Sequence, residues 1–285
     1  MSDYSAAVVG YSEYSSSEKL HLRAIRAFLG APKNAPNAGV LSEVGWLLPQ
    51  FRTRLTMVKY YHRLLNMDAH RLAKKVFSWD QRLNREGTIQ TWASEIKSIL
   101  YDCDLQLLHD LGLNFDINYT SQYVKEKFQV LQAKQLQEEC NLLPKLRTFI
   151  EFKTFGPEPV YLRKAMSFSH RKFLAKTRLG CLPLCIETGR YSVPRVPEER
   201  RFCQVCGPEL TEPEIESEVH FLFQCQAYTI ERANWQKNMQ LPCDFDYLSS
   251  TEKLKIVLEK RENIKPTAIY IANAFSQRLN ILNNR

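Results

Sequence analysis

Apolar residues recur along this chain three and four positions apart, the period of an α-helix with one face turned inward. Residues 17–29, SEKLHLRAIRAFL, set Leu20, Ala24, Ala27 and Phe28 on one side, with Ser17 placed to cap the start and Gly30 to stop the helix. The pattern breaks at GAPKNAPNAG, residues 30–39, which reads as a proline-punctuated turn. It resumes in 49–66, PQFRTRLTMVKYYHRLLN, where Phe51, Leu55, Val58, Tyr61 and Leu65 share a stripe and Arg52, Lys59 and Arg63 share another. Residues 68–85, DAHRLAKKVFSWDQRLNR, put Leu72, Val76, Trp79 and Leu83 at i, i+4, i+7 and i+11, the expected core face. Arg71, Lys74, Lys75, Arg82 and Arg85 gather opposite.

Further helices are expected at 88–102, 104–112, 120–141 and 144–154, then FGPEP at 155–159 reads as a linker. Beyond it, His170, Arg171, Lys172, Lys176 and Arg178 fall on one more helix. Towards the end, SSTEKLKIVLEKR offers Ser249 and Ser250 as caps. KPTAIYIANAFSQRLNILNN is expected to start a helix at Pro266, with Ile269, Ala272 and Phe275 or Ser276 facing the core. The fold class is therefore mainly α: a helical bundle over 1–154, a linker at 155–160, and a smaller α-rich domain over 161–285. Only 10 glycines in 285 residues argue against a β-rich chain.

Charge adds a second theme. Lys and Arg number 39 against 31 Asp and Glu, a net of +8, which favours polyanionic partners. The excess is concentrated. Residues 52–85 hold nine Lys or Arg and two acids, and residues 162–202 hold ten against three. Candidate phosphate contacts are thus Arg52, Lys59, Arg63, Arg71, Lys74, Lys75, Arg82 and Arg85 in the first segment. In the second they are Arg171, Lys172, Lys176, Arg178, Arg190, Arg200 and Arg201. A solvated basic surface without a ligand is the bland alternative for both.

The stretch CQVCGPELTEPEIESEVHFLFQC, residues 203–225, carries the chemistry. Cys203 and Cys206 form a Cys-x2-Cys knuckle, and after thirteen intervening residues His220-x4-Cys225 follows. Three thiolates and one imidazole complete a tetrahedral Zn²⁺ shell with no open position, which makes the metal structural. Three buried cysteines and a core histidine are the competing reading. The 23-residue clustering favours zinc. Glu216, Ser217 and Glu218 are placed to start a short helix that carries His220 inward beside Leu222 and Phe223.

No apolar run of 18 residues occurs, and the start, MSDYSAAVVGYSEYSSSEK, lacks the pattern of a secretory signal. The expected setting is intracellular, nucleus and/or cytoplasm, with no membrane, where the eight cysteines are thiols or metal ligands. No Gly-rich phosphate loop, Gly-x-Ser-x-Gly or His-Glu-x-x-His motif is present. Asp102 with Asp104, and Asp244 with Asp246, read as helix-end acids rather than a two-metal pair. Nothing orients a base towards Cys181 or Cys185. The chain is not expected to be an enzyme on its own.

Several segments resemble a known family. LRAIRAFLGAPKNAPNAGVLSEVGWLLP, then KYYHRLLNMD and RLAKKVFSWD, are similar to the region that follows the reverse transcriptase core in non-LTR (LINE-type) retrotransposon proteins. RKFLAKTRLGCLPLCIETGRY followed by the Cys-x2-Cys and His-x4-Cys pairs resembles the zinc-binding C-terminal region of the same proteins. The resemblance implies thumb-like helices, a linker, and a zinc module that helps hold template RNA or target DNA during target-primed reverse transcription. Cys203, Cys206, His220 and Cys225 match the family's metal ligands. Fingers, palm and endonuclease have no counterpart here, so polymerase activity does not carry over. A truncated copy, a fragment and a host-retained remnant all fit that departure. The expected partners are RNA and/or DNA, with zinc as a staple. A zinc-stabilised scaffold for a protein partner, or a remnant without a function, are the alternatives.

Overall fold

The computed structural model describes residues 6–9, 15–86, 90–110, 115–207 and 211–284. Among these the chain is helical throughout, with no strand; Phe202 and Ile215 make one isolated antiparallel bridge. The helices of the first part are α1 (Ala6–Val9), α2 (Ser15–Leu29), α3 (Asn37–Val44), α4 (Pro49–Leu65) and α5 (Leu72–Glu86). Next come α6 (Trp92–Asp102), α7 (Gln106–Asp110), α8 (Ile117–Asn141), α9 (Arg147–Phe152) and α10 (Phe168–Arg178). The last are α11 (Cys185–Thr188), α12 (Thr229–Lys237), α13 (Ser250–Glu259) and α14 (Arg261–Asn283). No helix among the described residues is long and apolar enough to cross a membrane.

The chain divides into two compact units, Met1–His21 with Leu47–Lys134, and Leu22–Trp46 with Gln135–Arg285. The expected boundary at 155–160 does not coincide with this division. FGPEP is built into the second unit rather than linking two bodies. Phe155 packs edge-on to Phe149, with ring centroids 6.0 Å apart. Gly45, in the left-handed region at φ 63°, lies so close to this segment that a Cβ would come 2.7 Å from the Gly156 carbonyl oxygen.

In the first unit, α4 buries Phe51, Met57, Val58, Tyr61 and Leu64. The expected Phe51–Val58–Tyr61 stripe is therefore inside, with Leu55 and Leu65 half-buried at its margin. Tyr61 meets Phe77 of α5 edge-on at 5.9 Å, and Phe77 meets Trp92 of α6 likewise at 5.9 Å. Thr91 and Ser94 cap α6 reciprocally, and Asp80 of α5 accepts the Ala93 N–H at 2.7 Å.

The core face expected for α5 is on the outside. Leu72, Val76 and Trp79 are 76%, 52% and 57% exposed, whereas Phe77 is buried. The helix turns its Phe77 side inward because that single large ring fills the space between Tyr61 and Trp92, the aromatic contact that orients it. In α2 the buried residues are Ile25 and Leu29, with Phe28 half-buried. Leu20, expected inside, is 65% exposed.

The second unit holds the larger core, drawn from α2, α3, α8–α10 and α12–α14. Helix α3 arises within the stretch bounded by prolines: Pro36 sits at its N-cap position, where no N–H is needed, and Gly45 ends it. Ser249 caps α13 with Glu252 in a reciprocal box, as expected from the sequence. Helix α14 starts at Arg261, before Pro266, and buries Ala272 and Phe275, while Ile269 stays at the surface.

Candidate metal centre and basic surfaces

Cys203 and Cys206 lie on a tight turn. The Cys203 N–H reaches the Glu214 carbonyl at 2.8 Å, and the Gly207 N–H returns to the Cys203 carbonyl at 2.9 Å. The acidic loop is thereby folded back beside the knuckle. His220 then opens a π-helical turn, His220–Gln224, in which the Cys225 N–H bonds the His220 carbonyl at 2.8 Å. The wider turn sets both side chains on the same side, a use of π geometry common at functional sites. Phe221 and Leu222 go fully into the core, while Phe223, expected beside them, is half-buried against Trp235.

These turns bring the four groups together. One ligand atom from each of Cys203, Cys206, His220 and Cys225 lies within 4.8 Å of all the others, and all four residues are buried. The Cys203 and Cys225 sulfurs are 4.0 Å apart, and His220 Nε2 is 3.3 Å from the Cys206 sulfur. A tetrahedral shell with Zn–S near 2.3 Å requires sulfur separations of about 3.8 Å, so the Cys203–Cys225 separation is of the size such a shell needs. His220 turns its other nitrogen, Nδ1, to the Glu214 carboxylate at 2.6 Å, the arrangement that orients a ligating imidazole through Nε2.

Electrostatics points the same way. The Cys203 thiol is pulled down to about 3, first by the hydrogen bond from Cys225. Burial pushes Cys206 up to about 11, and the neighbouring Cys203 thiolate holds Cys225 far above the ordinary range. Burial opposes protonation of His220, but the Cys203 thiolate and Glu214 outweigh it and raise its pKa. Crowded together, the sulfurs oppose one another's ionisation. A divalent cation is what lets all three ionise.

Behind the ligands is a second layer that sequence reasoning missed. Glu216 accepts two bonds from the Arg278 guanidinium, at 2.7 and 2.8 Å, and one from the Cys185 N–H at 2.7 Å. It also lies 3.8 Å from the Cys203 sulfur. Tyr270 and Arg232 donate to carbonyls of the π turn, at Phe221, Leu222 and Cys225. The five glutamates of the loop were visible in sequence, but nothing local marked which one faces an arginine 62 residues away.

The expected phosphate contacts divide. Arg52, Lys59 and Arg63 are exposed along α4 as the spacing required, and among the described residues none is in an ion pair. Lys59 also lines a groove of about 430 Å³ with Lys125, Asn118, Ser121 and Gln122. Arg71, Lys75, Arg82 and Arg200 are exposed. The side chain of Arg85 lies outside the described residues.

Others are less exposed, and most of them are engaged within the fold. Lys74 donates to the Leu64 and Leu65 carbonyls at 2.7 and 3.1 Å, closing the C-terminus of α4. Arg171 stacks over Phe28 at 4.8 Å, Lys172 packs against Gly30, and Lys176 is half-buried. Arg190 lies 3.6 Å from the Glu187 carboxylate and is only 15% exposed. Arg201 is buried and donates to the Val196 and Ile186 carbonyls.

Arg178 is the clearest correction. It is wholly buried, paired with Glu43 at 2.5 Å and Glu259 at 2.7 Å, and donates to the Leu258 carbonyl. No phosphate reaches it, because the fold has already supplied its anions.

The carboxylate pairs behave as helix-end acids. Asp102 and Asp104 face Arg54 and Lys127 respectively, and Asp244 and Asp246 are exposed on a short turn. Burial pushes the thiols of Cys181 and Cys185 up to about 11 and about 12, far from a reactive thiolate. Compared with family models, with curated proteins and with solved structures, the chain matches none of them.

Proposed function

We propose that this chain is a nucleic-acid-binding module, without chemistry of its own, whose second unit is held by a structural Zn²⁺. The donor set supports zinc. Three sulfurs and an imidazole gathered within 4.8 Å of one another can satisfy that ion as a four-coordinate shell and leave no position for a substrate. The observation that carries nucleic-acid binding is the α4 stripe. Arg52, Lys59 and Arg63 repeat at i, i+7 and i+11 on a helix with no acidic residue, exposed over about 16 Å of helix length. An unneutralised cationic row of that length is built for a backbone of regularly spaced phosphates rather than for a single anion. Arg71, Lys75 and Arg82 extend the positive surface of the same unit, and exposed Arg195 and Arg200 precede the metal knuckle in the other. The reading agrees with the accessory role implied by the resemblance to LINE-type retrotransposon proteins, with RNA and DNA both as candidate partners.

The test is fluorescence anisotropy of labelled structured RNA and duplex DNA against zinc-loaded protein over a salt series. Affinity should fall steeply with salt, and reversing Arg52, Lys59 and Arg63 together should flatten the slope by about 3 on duplex DNA. Absence of binding at low salt by folded, zinc-loaded protein sinks the proposal.

A further inference from the structure

Helix α5 carries two apolar faces, and among the described residues only one is buried. Phe77 points inward, while Leu72, Val76 and Trp79 form an outward row spanning about 10 Å of helix. Single exposed apolar residues are ordinary. Three large ones in register, each more than half exposed, are a contiguous patch of the kind that marks an interaction site.

We infer that this outer face of α5 docks an acidic amphipathic helix of a partner protein. The spacing i, i+4, i+7 is that of anchors read by a second helix laid alongside. Aliphatic Leu72 and Val76 offer no flat ring for a nucleic-acid base, which leaves Trp79 as the one stacking surface and argues against a base-binding row. The flank decides the partner's charge. Arg71, Lys75 and Arg82 are exposed on one side of the row. Among the described side chains of α5 the only acid is Asp80, which is turned inward onto the Ala93 N–H. A helix bringing leucines to the row and glutamates to that flank is complementary to both, and the charge sets its orientation. The inference shares Arg71, Lys75 and Arg82 with the nucleic-acid reading but does not rest on it, since Leu72, Val76 and Trp79 have no part in that reading.

The probe is a fluorescein-labelled peptide of about 18 residues, five helical turns, with Leu at i, i+4, i+7 and Glu beside them. It is titrated with the full zinc-loaded chain by anisotropy. The peptide should bind and shift tryptophan emission to the blue as Trp79 is covered. Val76→Asp and, separately, Leu72→Ser should each weaken it about ten-fold or more, as loss of a central anchor does. Lys75→Glu with Arg82→Glu should weaken the acidic peptide and strengthen a version with Lys in place of Glu. Far-ultraviolet circular dichroism checks that each variant is folded.

Three outcomes overturn the inference. One is equal binding of the acidic and basic peptides, or binding that folded Val76→Asp leaves unchanged. Another is concentration-dependent dimerisation abolished by Val76→Asp, which makes a second copy the occupant. The third is no peptide binding, with Val76→Asp weakening labelled RNA instead.

Discussion

Arg178 sits in a helix whose other Lys and Arg side chains, at 171, 172 and 176, are half-buried, and it is the one charge there that the fold has closed over completely. Replacing it with Met keeps the bulk of the side chain over Phe152 and Tyr161, whose rings it overlies at 4.8 and 5.2 Å, and removes the guanidinium. Among the described residues Glu43, with no exposed side-chain surface, then keeps the Tyr161 hydroxyl as its one hydrogen-bond donor at 2.7 Å, with buried Lys153 as a remaining cation within electrostatic reach. Glu259 is 27% exposed and recovers solvation from water, so the cost falls mainly on Glu43. Breaking a fully buried pair by removing one partner costs about 3–5 kcal/mol. In a unit of this size that corresponds to a loss of about 6–20 °C in melting temperature, at roughly 2–4 °C per kcal/mol. Thermal unfolding by circular dichroism measures it. Adding Glu43→Gln to Arg178→Met should restore more than half of the loss, because the orphaned charge disappears while Tyr161 keeps an acceptor. At a temperature where the variant is folded, its salt dependence of RNA binding should match the parent. A variant that melts like the parent but has lost affinity would refute the reasoning and return Arg178 to the phosphate-binding set.

Chelation of the metal, or Cys206→Ser, should unfold the turn around 203–225 and lower protection of α12 and α14 in hydrogen exchange, and mass spectrometry of intact protein should find one zinc per folded chain. Glu214→Gln should leave the fold intact but weaken zinc about ten-fold to a hundred-fold in a competition with a chromophoric chelator, because His220 loses the carboxylate that orients it. Lys74→Met should cost about 1 kcal/mol through loss of the α4 C-terminal cap, without the change in salt slope that charge reversal at Arg52, Lys59 and Arg63 produces.

What could be read from the sequence follows the range of the interactions involved. The four donor residues were legible because they lie within one 23-residue stretch, on a knuckle and a turn close in sequence. Helix positions were legible for a similar reason, and α4 shows the periodicity at its best. Helix α3 was hidden because its start falls in GAPKNAPNAG, which reads as a turn, whereas Pro36 merely precedes the first helical residue. Burial of charge was not legible. Arg178 and Arg201 have the same side chain as exposed Arg200, and what separates them is a carboxylate 135 residues away or a carbonyl across a loop. In α5 the stronger apolar stripe was legible as a stripe, but periodicity cannot say which face a domain covers.

Glu216 shows why the centre and the fold cannot be separated. Its carboxylate joins the knuckle beside Cys203, the start of α11 through the Cys185 N–H, and α14 through Arg278. Arg278 and Glu216 are both nearly free of solvent, so each depends on the other for charge balance. Loosening the knuckle moves Glu216, and a displaced Glu216 leaves Arg278 buried without its anion. A metal bound by the four residues would therefore act beyond its own ligands. Glu216→Gln should keep two acceptor contacts at most while stranding a cation, which makes it more damaging to stability than Glu214→Gln, although both glutamates lie in one loop and neither is a ligand. If Glu214→Gln proved the more destabilising of the two, the anchoring of α14 would have to run through the π turn carbonyls held by Tyr270 and Arg232 instead.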